Sequence, residues 1–391
     1  MVGLRSQRTL DMRLLIFTTD YRPGVGGIAT YSYYIARGLS RLCKVIVLTV
    51  KMRGWENFDA KQNFDTIRVI NWPLLRELMF IFHIVRLVRN KKIDKILNVM
   101  WFPCGVISFL IWRVFKIPYF ISAHGSEFLD DKTSLKRRIK RALSWLKFLT
   151  MKNAKRIFPV SRYTRNRLLE LRIPSSQITI VPNGVDINKF VPKDTNISKA
   201  HWGLEGKKVL LTVARLDLHK GHDVVIRSLP QVVEKIPDIV YVIAGTGPEE
   251  KRLKEMVHEL HLDEKVFFLG HVPEKDIVDL YNACDLFVMP SREIPGREDL
   301  IEGFGISFLE ANACGKPAIG GRSGGVSDAI VDGQTGVLVD PIDVEEVSKA
   351  IYKLLTDEEY ALKLGRQGRQ RTENELNWDK ICRRLIFLMD G

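Results

Sequence analysis

Glu302-Gly-Phe-Gly-Ile-Ser-Phe-Leu-Glu310, followed by Ala311-Asn-Ala-Cys-Gly-Lys-Pro317, places two carboxylates eight positions apart around the mouth of a helix. Gly303 and Gly305 are poor helix formers, so Glu302 belongs to the entering loop and Glu310 to the helix. Eight fully helical steps would span roughly 12 Å at about 1.5 Å each, which suits a long polar ligand with hydroxyls at both ends. Free amides near Gly305 and Ile306 make a seat for phosphate between the acids. One carboxylate for a sugar, a helix mouth for phosphate and one carboxylate for a ribose describe a nucleotide-sugar site.

Working outward, the second half of the chain reads as alternating strands and helices. Strands are expected at Lys208–Ala214, Ile239–Ala244, Val266–Leu269, Leu286–Met289, Pro317–Gly320 and Gly336–Val339. The first half follows the same plan, with short apolar runs at Arg13–Thr18, Lys44–Val50, Thr66–Asn71, Lys95–Val99, Pro118–Ala123, Lys155–Val160 and Gln177–Val181. Nearly continuous apolar strands separated by amphipathic stretches indicate parallel sheets covered on both faces. The polar stretch Asn188–Asn196, with Pro192, Lys193 and Asp194, reads as the linker. The expected domains are 1–190 with 376–391, and 191–375.

At 391 residues the chain has room for two domains of ordinary size, and 46% hydrophobic residues allow a buried core. Five cysteines are scattered without a close pair, which argues against a zinc site or a disulfide framework and fits a reducing cytoplasm. The start, Met1-Val-Gly-Leu-Arg-Ser-Gln-Arg, has no apolar core ahead of a cleavage site, so no secretory signal is expected. The membrane-like run from Ile96 to Trp112 is interrupted by Asn98, Pro103 and Gly105, and a strand, turn and helix explain it better than a spanning segment.

Charge is uneven. Residues 1–190 hold 34 Lys and Arg against 12 Asp and Glu, whereas residues 191–391 hold 26 against 34. A basic half joined to an acidic half suggests that one domain faces an anionic surface. Lys132–Arg156 concentrates this, with ten basic residues and no acidic one. Leu135, Ile139, Ala142, Leu146 and Leu149 share one helical face there, while Lys136, Arg137, Lys140 and Arg141 fall largely elsewhere. That is the pattern of a helix lying on an anionic membrane, with Leu74–Arg89 as a further contributor. The plainer reading is a domain helix whose apolar stripe covers the sheet. No nucleic-acid motif accompanies the charge, so nucleic acid is not an expected partner.

Three further motifs carry chemistry. Gly24-Val-Gly26-Gly27-Ile-Ala29 follows the first strand and satisfies a loose dinucleotide pattern. The second strand, however, runs into Val50-Lys51-Met52-Arg53, which offers no acid for a ribose, so a dehydrogenase is disfavoured. A tight turn serving only helix packing is the bland alternative. The favoured reading is that Gly26 and Gly27 bring backbone amides to the donor phosphate or the reacting sugar. Arg215 and Lys220 flank a strand's carboxyl end, where cations can take up the charge of a pyrophosphate leaving group and stand in for a metal ion. His124 ends the strand Tyr119–Ala123, a position that favours a site role.

Together Ala123-His-Gly125, Val181-Pro-Asn-Gly-Val-Asp186, Ala214-Arg215 with Lys220-Gly221, the Glu302–Glu310 pair and Gly324-Gly325 resemble the retaining glycosyltransferases of family four, which have the GT-B fold. The match runs from about residue 13 to about residue 390. Ser291-Arg-Glu…Glu302-Gly-Phe-Gly and His124-Gly-Ser-Glu127 look most like the bacterial phosphatidylinositol mannoside mannosyltransferases. The resemblance implies two Rossmann-like domains facing a central cleft, with the last helix, Trp378–Met389, crossing back to the first. It implies Glu310 on the ribose, Glu302 and His124 on the transferred hexose, backbone at Val272 on the base, and Glu127 on the acceptor side. It implies retention of configuration. A double displacement would need a carboxylate nucleophile about 5 Å from its acid; none stands out in the first domain, so front-face attack is expected. No cofactor or metal is expected, the nucleotide-sugar being a co-substrate. GDP-mannose is the first expectation for it, ahead of UDP-glucose or UDP-galactose, with a lipid-linked acceptor at the cytoplasmic face of the cell membrane.

Overall fold

The computed structural model describes residues 11–125, 137–297 and 300–390, with residues 137–143 described as helical backbone only. Glu127 and Lys136 therefore lie outside the described residues, and Arg137, Lys140 and Arg141 are placed on a helix without further description. The chain forms two compact units, Met1–Asn183 with Trp378–Gly391, and Gly184–Asn377.

In the first unit β1 (Arg13–Phe17), β2 (Lys44–Val50), β3 (Asp65–Val69), β4 (Lys95–Asn98), β5 (Tyr119–Ala123) and β6 (Arg156–Pro159) make a six-stranded sheet in the order β3-β2-β1-β4-β5-β6. Every pairing is parallel. Leu14, Leu15, Ile16 and Phe17 are fully buried because helices cover both faces. Right-handed crossovers set α1 (Gly27–Leu39) on one face. They set α2 (Leu75–Arg89), α3 (Val106–Phe115) and α4 (Arg137–Lys152) on the other. The run from Ile96 to Trp112 is indeed a strand, a turn and a helix, and no helix among the described residues is long and apolar enough to cross a membrane.

The expected strand at Gln177–Val181 is not one. Only Ile178 bridges to Ile157. The Thr179 and Val181 amides donate to the Ile157 and Pro159 carbonyls at 3.0 Å each, but the reciprocal bond would have to come from Pro159, which has no N–H. The ladder therefore stops after one bridge. The C-terminal helix Trp378–Asp390 belongs to this unit. Trp378 stacks on Tyr34 of α1 at 5.5 Å, and Gly38 leaves room for Cys382 against the same helix.

The second unit repeats the topology. β7 (Lys208–Val213), β8 (Ile239–Ala244), β9 (Val266–Gly270), β10 (Leu286–Met289), β11 (Ala318–Gly321) and β12 (Val337–Val339) lie in the order β12-β11-β10-β7-β8-β9. The strand order reverses between β7 and β10, and parallel sheets bind ligands outside the carboxyl ends of strands at such a reversal. The supposed linker is structured. Asp194 caps α5 (Thr195–Trp202), accepting from the Asn196 and Ile197 amides at 2.8 and 3.1 Å. Asn282 bonds the backbone at Val191 and Lys193, and Arg369 bonds the Phe190 carbonyl at 2.7 Å. The division thus falls at Asn183 and Gly184, ahead of the polar stretch. All five cysteines are free and buried.

Candidate functional site

The reversal point of the second sheet gathers the candidate residues. From β7 the chain runs through Arg215 into a short turn, Leu218–Lys220, which opens α6 (His222–Val233). From β10 it runs through Ser291 and Arg292 to Glu302 and then α8, Ile306–Ala313, after α7 (Ile277–Ala283). Lys220 Nζ donates to Glu302 Oε2 at 2.6 Å, and both side chains are largely buried. Burial alone would push the Glu302 carboxyl up. The Lys220 ammonium, His219 and the Phe304 amide outweigh it, and the group titrates below its usual value. The pair joins residues 82 positions apart. Sequence reasoning assigned Lys220 to phosphate and Glu302 to sugar separately; the fold makes them one unit.

Glu302 is held from behind as well. The Gly325 amide donates to its carbonyl at 2.8 Å, which gives the Gly324-Gly325 motif a physical task. Gly221, at φ 78°, sets the Lys220 turn: a Cβ there would collide with the Pro290 carbonyl. Arg215 is different. Its side chain is 67% exposed and stands 3.5 Å from Asp217, so it does not join the buried pair. Helix α8 begins at Ile306 with Gly305 at its cap, so only four of the eight steps from Glu302 to Glu310 are helical, a rise of about 6 Å. The Gly305 and Ile306 amides open this helix. Glu310 sits on it among buried Phe308, Leu309 and Ala311, and accepts from the Tyr281 hydroxyl at 2.7 Å. Burial first, then the neighbouring carboxylate, raises the Tyr281 hydroxyl well above its usual range, so it stays a donor. Val272 follows β9 on the same edge, two strands or about 10 Å across the sheet from β7.

Sequence reasoning missed the support behind these groups. Arg292 makes two bonds to Asp223, at 2.9 and 3.0 Å, and both are buried. The Arg292 amide also donates to the His219 carbonyl at 2.8 Å. This clamp ties the Lys220 turn to the segment leading to Glu302. A hint existed in Ser291-Arg292, an arginine just past an apolar strand. Its partner, 69 positions away, had no signal. Beside the clamp, both ring nitrogens of His222 are buried without a partner among the described residues.

Burial, then the Lys220 charge, lowers His219 to about 4 and His222 to about 3 from 6.5. The folded protein keeps these rings neutral while the unfolded chain protonates them below 6.5. Their contribution to stability is therefore complete above pH 6.5 and is lost as pH falls toward 4 and 3. Urea titrations should show unfolding free energy dropping by up to about 1.4 kcal/mol per pH unit for each ring. His222→Gln should remove its share of that slope; an unchanged slope would refute the assignment.

In the first unit the carboxyl edge of the sheet carries Gly26, Gly27 and His124. Gly26 has φ 142°, reachable only by glycine, and a Cβ at Gly26 or Gly27 would meet nothing within 4 Å. Gly26 is thus fixed by the backbone turn that opens α1, while the space above both glycines is open. His124 is half-buried against Tyr31, ring centres 4.4 Å apart, and burial lowers it to about 4, so it is a neutral ring at pH 7. Among the described residues no group of three or more His, Cys, Asp and Glu is placed to hold a metal ion.

Two family models match the chain. "Glycosyltransferase Family 4" covers residues 25–189 and "Glycosyl transferases group 1" covers residues 194–371. The GDP-mannose-dependent alpha-(1-6)-phosphatidylinositol monomannoside mannosyltransferase of Mycolicibacterium smegmatis is 31% identical over 97% of this chain and 98% of its own. The chain belongs to the glycosyltransferases of family four. The corresponding monoacylated-acceptor mannosyltransferase of Corynebacterium glutamicum is 28% identical over 97% of this chain and 98% of its own. Anabaena HepE in complex with UDP shares the GT-B fold at TM-score 0.81 and 20% identity, over 97% of this chain and 100% of that one. In this glycosyltransferase, then, the Lys220–Glu302 pair, the α8 mouth and Glu310 gather on one face of a Rossmann-like unit. The arrangement offers a fixed cation, a helix mouth and a carboxylate in sequence.

Proposed function

We propose that this glycosyltransferase moves a mannosyl residue from GDP-mannose to a lipid-linked acceptor on an anionic membrane surface, retaining configuration and using no metal ion. The observation that carries the donor half is the buried Lys220–Glu302 pair beside the amides of α8. A β-phosphate on those amides draws on Lys220 and Arg215 as the glycosidic bond breaks. Glu302 then orients the hexose hydroxyls, Glu310 takes the ribose, and backbone near Val272 meets the base. The acceptor oxygen attacks C1 from the face the leaving phosphate departs, and the acceptor proton passes to that phosphate. Gly26, Gly27 and His124 serve the transferred sugar and Glu127 the acceptor.

The mannose and lipid halves draw on the Mycolicibacterium smegmatis relative, similar along 97% of this chain. The basic helix of residues 137–152 supports placement on the inner leaflet of the cell membrane, where anionic lipids gather. A melting-temperature panel with GDP, UDP and ADP tests the base: GDP should stabilise most, by mass action. Transfer from GDP-mannose to phosphatidylinositol mannoside in vesicles, in the presence of EDTA, tests acceptor and metal together. No transfer under EDTA, or preference for UDP, would refute the corresponding part. A soluble acceptor is the second reading, because Mannosylfructose-phosphate synthase of Agrobacterium fabrum is 25% identical over 94% of this chain. Fructose phosphate as acceptor in the same assay separates the two.

A further inference from the structure

On the first unit, large apolar side chains on the outer faces of two neighbouring helices stand in solvent. Leu74, Leu78 and Phe82 are 81%, 65% and 62% exposed, and Val114 is 73% exposed. Leu75, Leu78 and Phe82 lie within about 60° of one another on α2 at about 100° per residue. Leu110 and Val114 stand one turn apart on α3. The two helices pack side by side on one face of the sheet, so their rows adjoin. Scattered exposed leucines are ordinary, but an aligned set with Trp72 at its head is not.

The rows end in cations. The α2 row continues into exposed Arg86 and Arg89, and the α3 row meets exposed Arg113 and Lys116. The one acid on α2, Glu77, is bonded to Arg76, and α3 carries none. Both helices run opposite to the strands; the apolar residues of α2 lie toward the carboxyl edge of the sheet, while Leu110 and Val114 run from the middle to the end of α3, beside Arg113 and Lys116. A second copy docked on this face would offer these cations no unpaired acid from the same two helices, since Glu77 is bonded to Arg76. An anionic bilayer satisfies both parts, acyl chains for the ridge and phosphates for its border.

We propose that the α2–α3 ridge inserts into the acyl boundary of an anionic bilayer, with Arg86, Arg89, Arg113 and Lys116 on lipid phosphates. The proposal rests on the membrane reading above and adds an apolar anchor to it. The test is flotation with phosphatidylcholine–phosphatidylglycerol vesicles. Wild-type protein should stay bound in about 1 M salt, where screening leaves a range of about 3 Å for exposed charges. Leu78→Glu with Phe82→Glu should cut partitioning by about tenfold or more. The same double variant should keep its melting temperature and its shift with GDP. Binding that disappears in high salt and ignores the double variant would overturn the ridge while leaving a charge-based membrane contact intact. A wild-type dimer split by the double variant, with vesicle binding unchanged, would also overturn it. No vesicle binding at any salt would instead sink the underlying membrane reading.

Discussion

Lys220→Ala should lower kcat by about a hundredfold to a thousandfold, the scale seen when one preorganised donor to a developing anion is removed. Lys220 is poised for that size of effect. Its ammonium is largely buried, 2.6 Å from Glu302, at the strand-order reversal. Water cannot readily take its place there. The truncation also strands a buried carboxylate, whose pKa then rises because burial is its largest influence once the cation is gone. Lys220→Met combined with Glu302→Gln isolates the second consequence. If the stranded carboxylate causes the loss of stability, the double variant recovers it, while turnover stays low because Glu302 is itself placed on the hexose; leaving-group stabilisation is read from the kcat of the single variant. Steady-state kinetics with the donor identified by the nucleotide panel, alongside melting curves, check both. A Lys220→Ala enzyme with wild-type kcat would exclude the lysine from leaving-group stabilisation.

The second large effect is on stability. Asp223→Leu should destabilise the second unit by about 3 to 5 kcal/mol, because it leaves the Arg292 guanidinium buried without its carboxylate. For a unit of this size that is a fall of about 10 °C or more in Tm. Arg227, which also reaches Asp223 at 2.9 Å, is half exposed and can turn to water, so it contributes little to the loss. Arg292→Leu in the same chain should restore much of the stability, since an apolar pair of similar volume costs far less than a lone buried charge. It should not restore turnover, because the clamp also holds the Lys220 turn in register with Glu302. If the single variant melts with the wild type, the clamp is not a stabilising contact.

Periodicity and apolar runs made the two parallel sheets legible, strand by strand, because buried parallel strands leave a dense local signature. What escaped depended on a single residue or a distant one. Pro159 ended a ladder that the composition of Gln177–Val181 invited, and Asp194 turned an apparent linker into a helix cap. Glu302, Glu310 and Lys220 announce themselves as charged residues in loop-to-helix contexts. Their partners do not. Tyr281 looks like one more aromatic in an apolar helix, and Asp223 like an ordinary first-turn acid. Contacts spanning 29 to 82 residues carry no local pattern, so the pairing within the site became visible only in three dimensions.

The cysteines have a practical consequence. All five are free thiols inside the fold, and burial raises Cys43 to about 12 and pushes Cys104, Cys284, Cys314 and Cys382 upward too. Thiolates are the reactive form, so the native chain should resist maleimides at neutral pH. A new cysteine at exposed Trp72 or Val114 would then be labelled alone, with no need to strip the natural ones. Spin or fluorescent probes could report their depth against lipid directly on an otherwise unaltered enzyme.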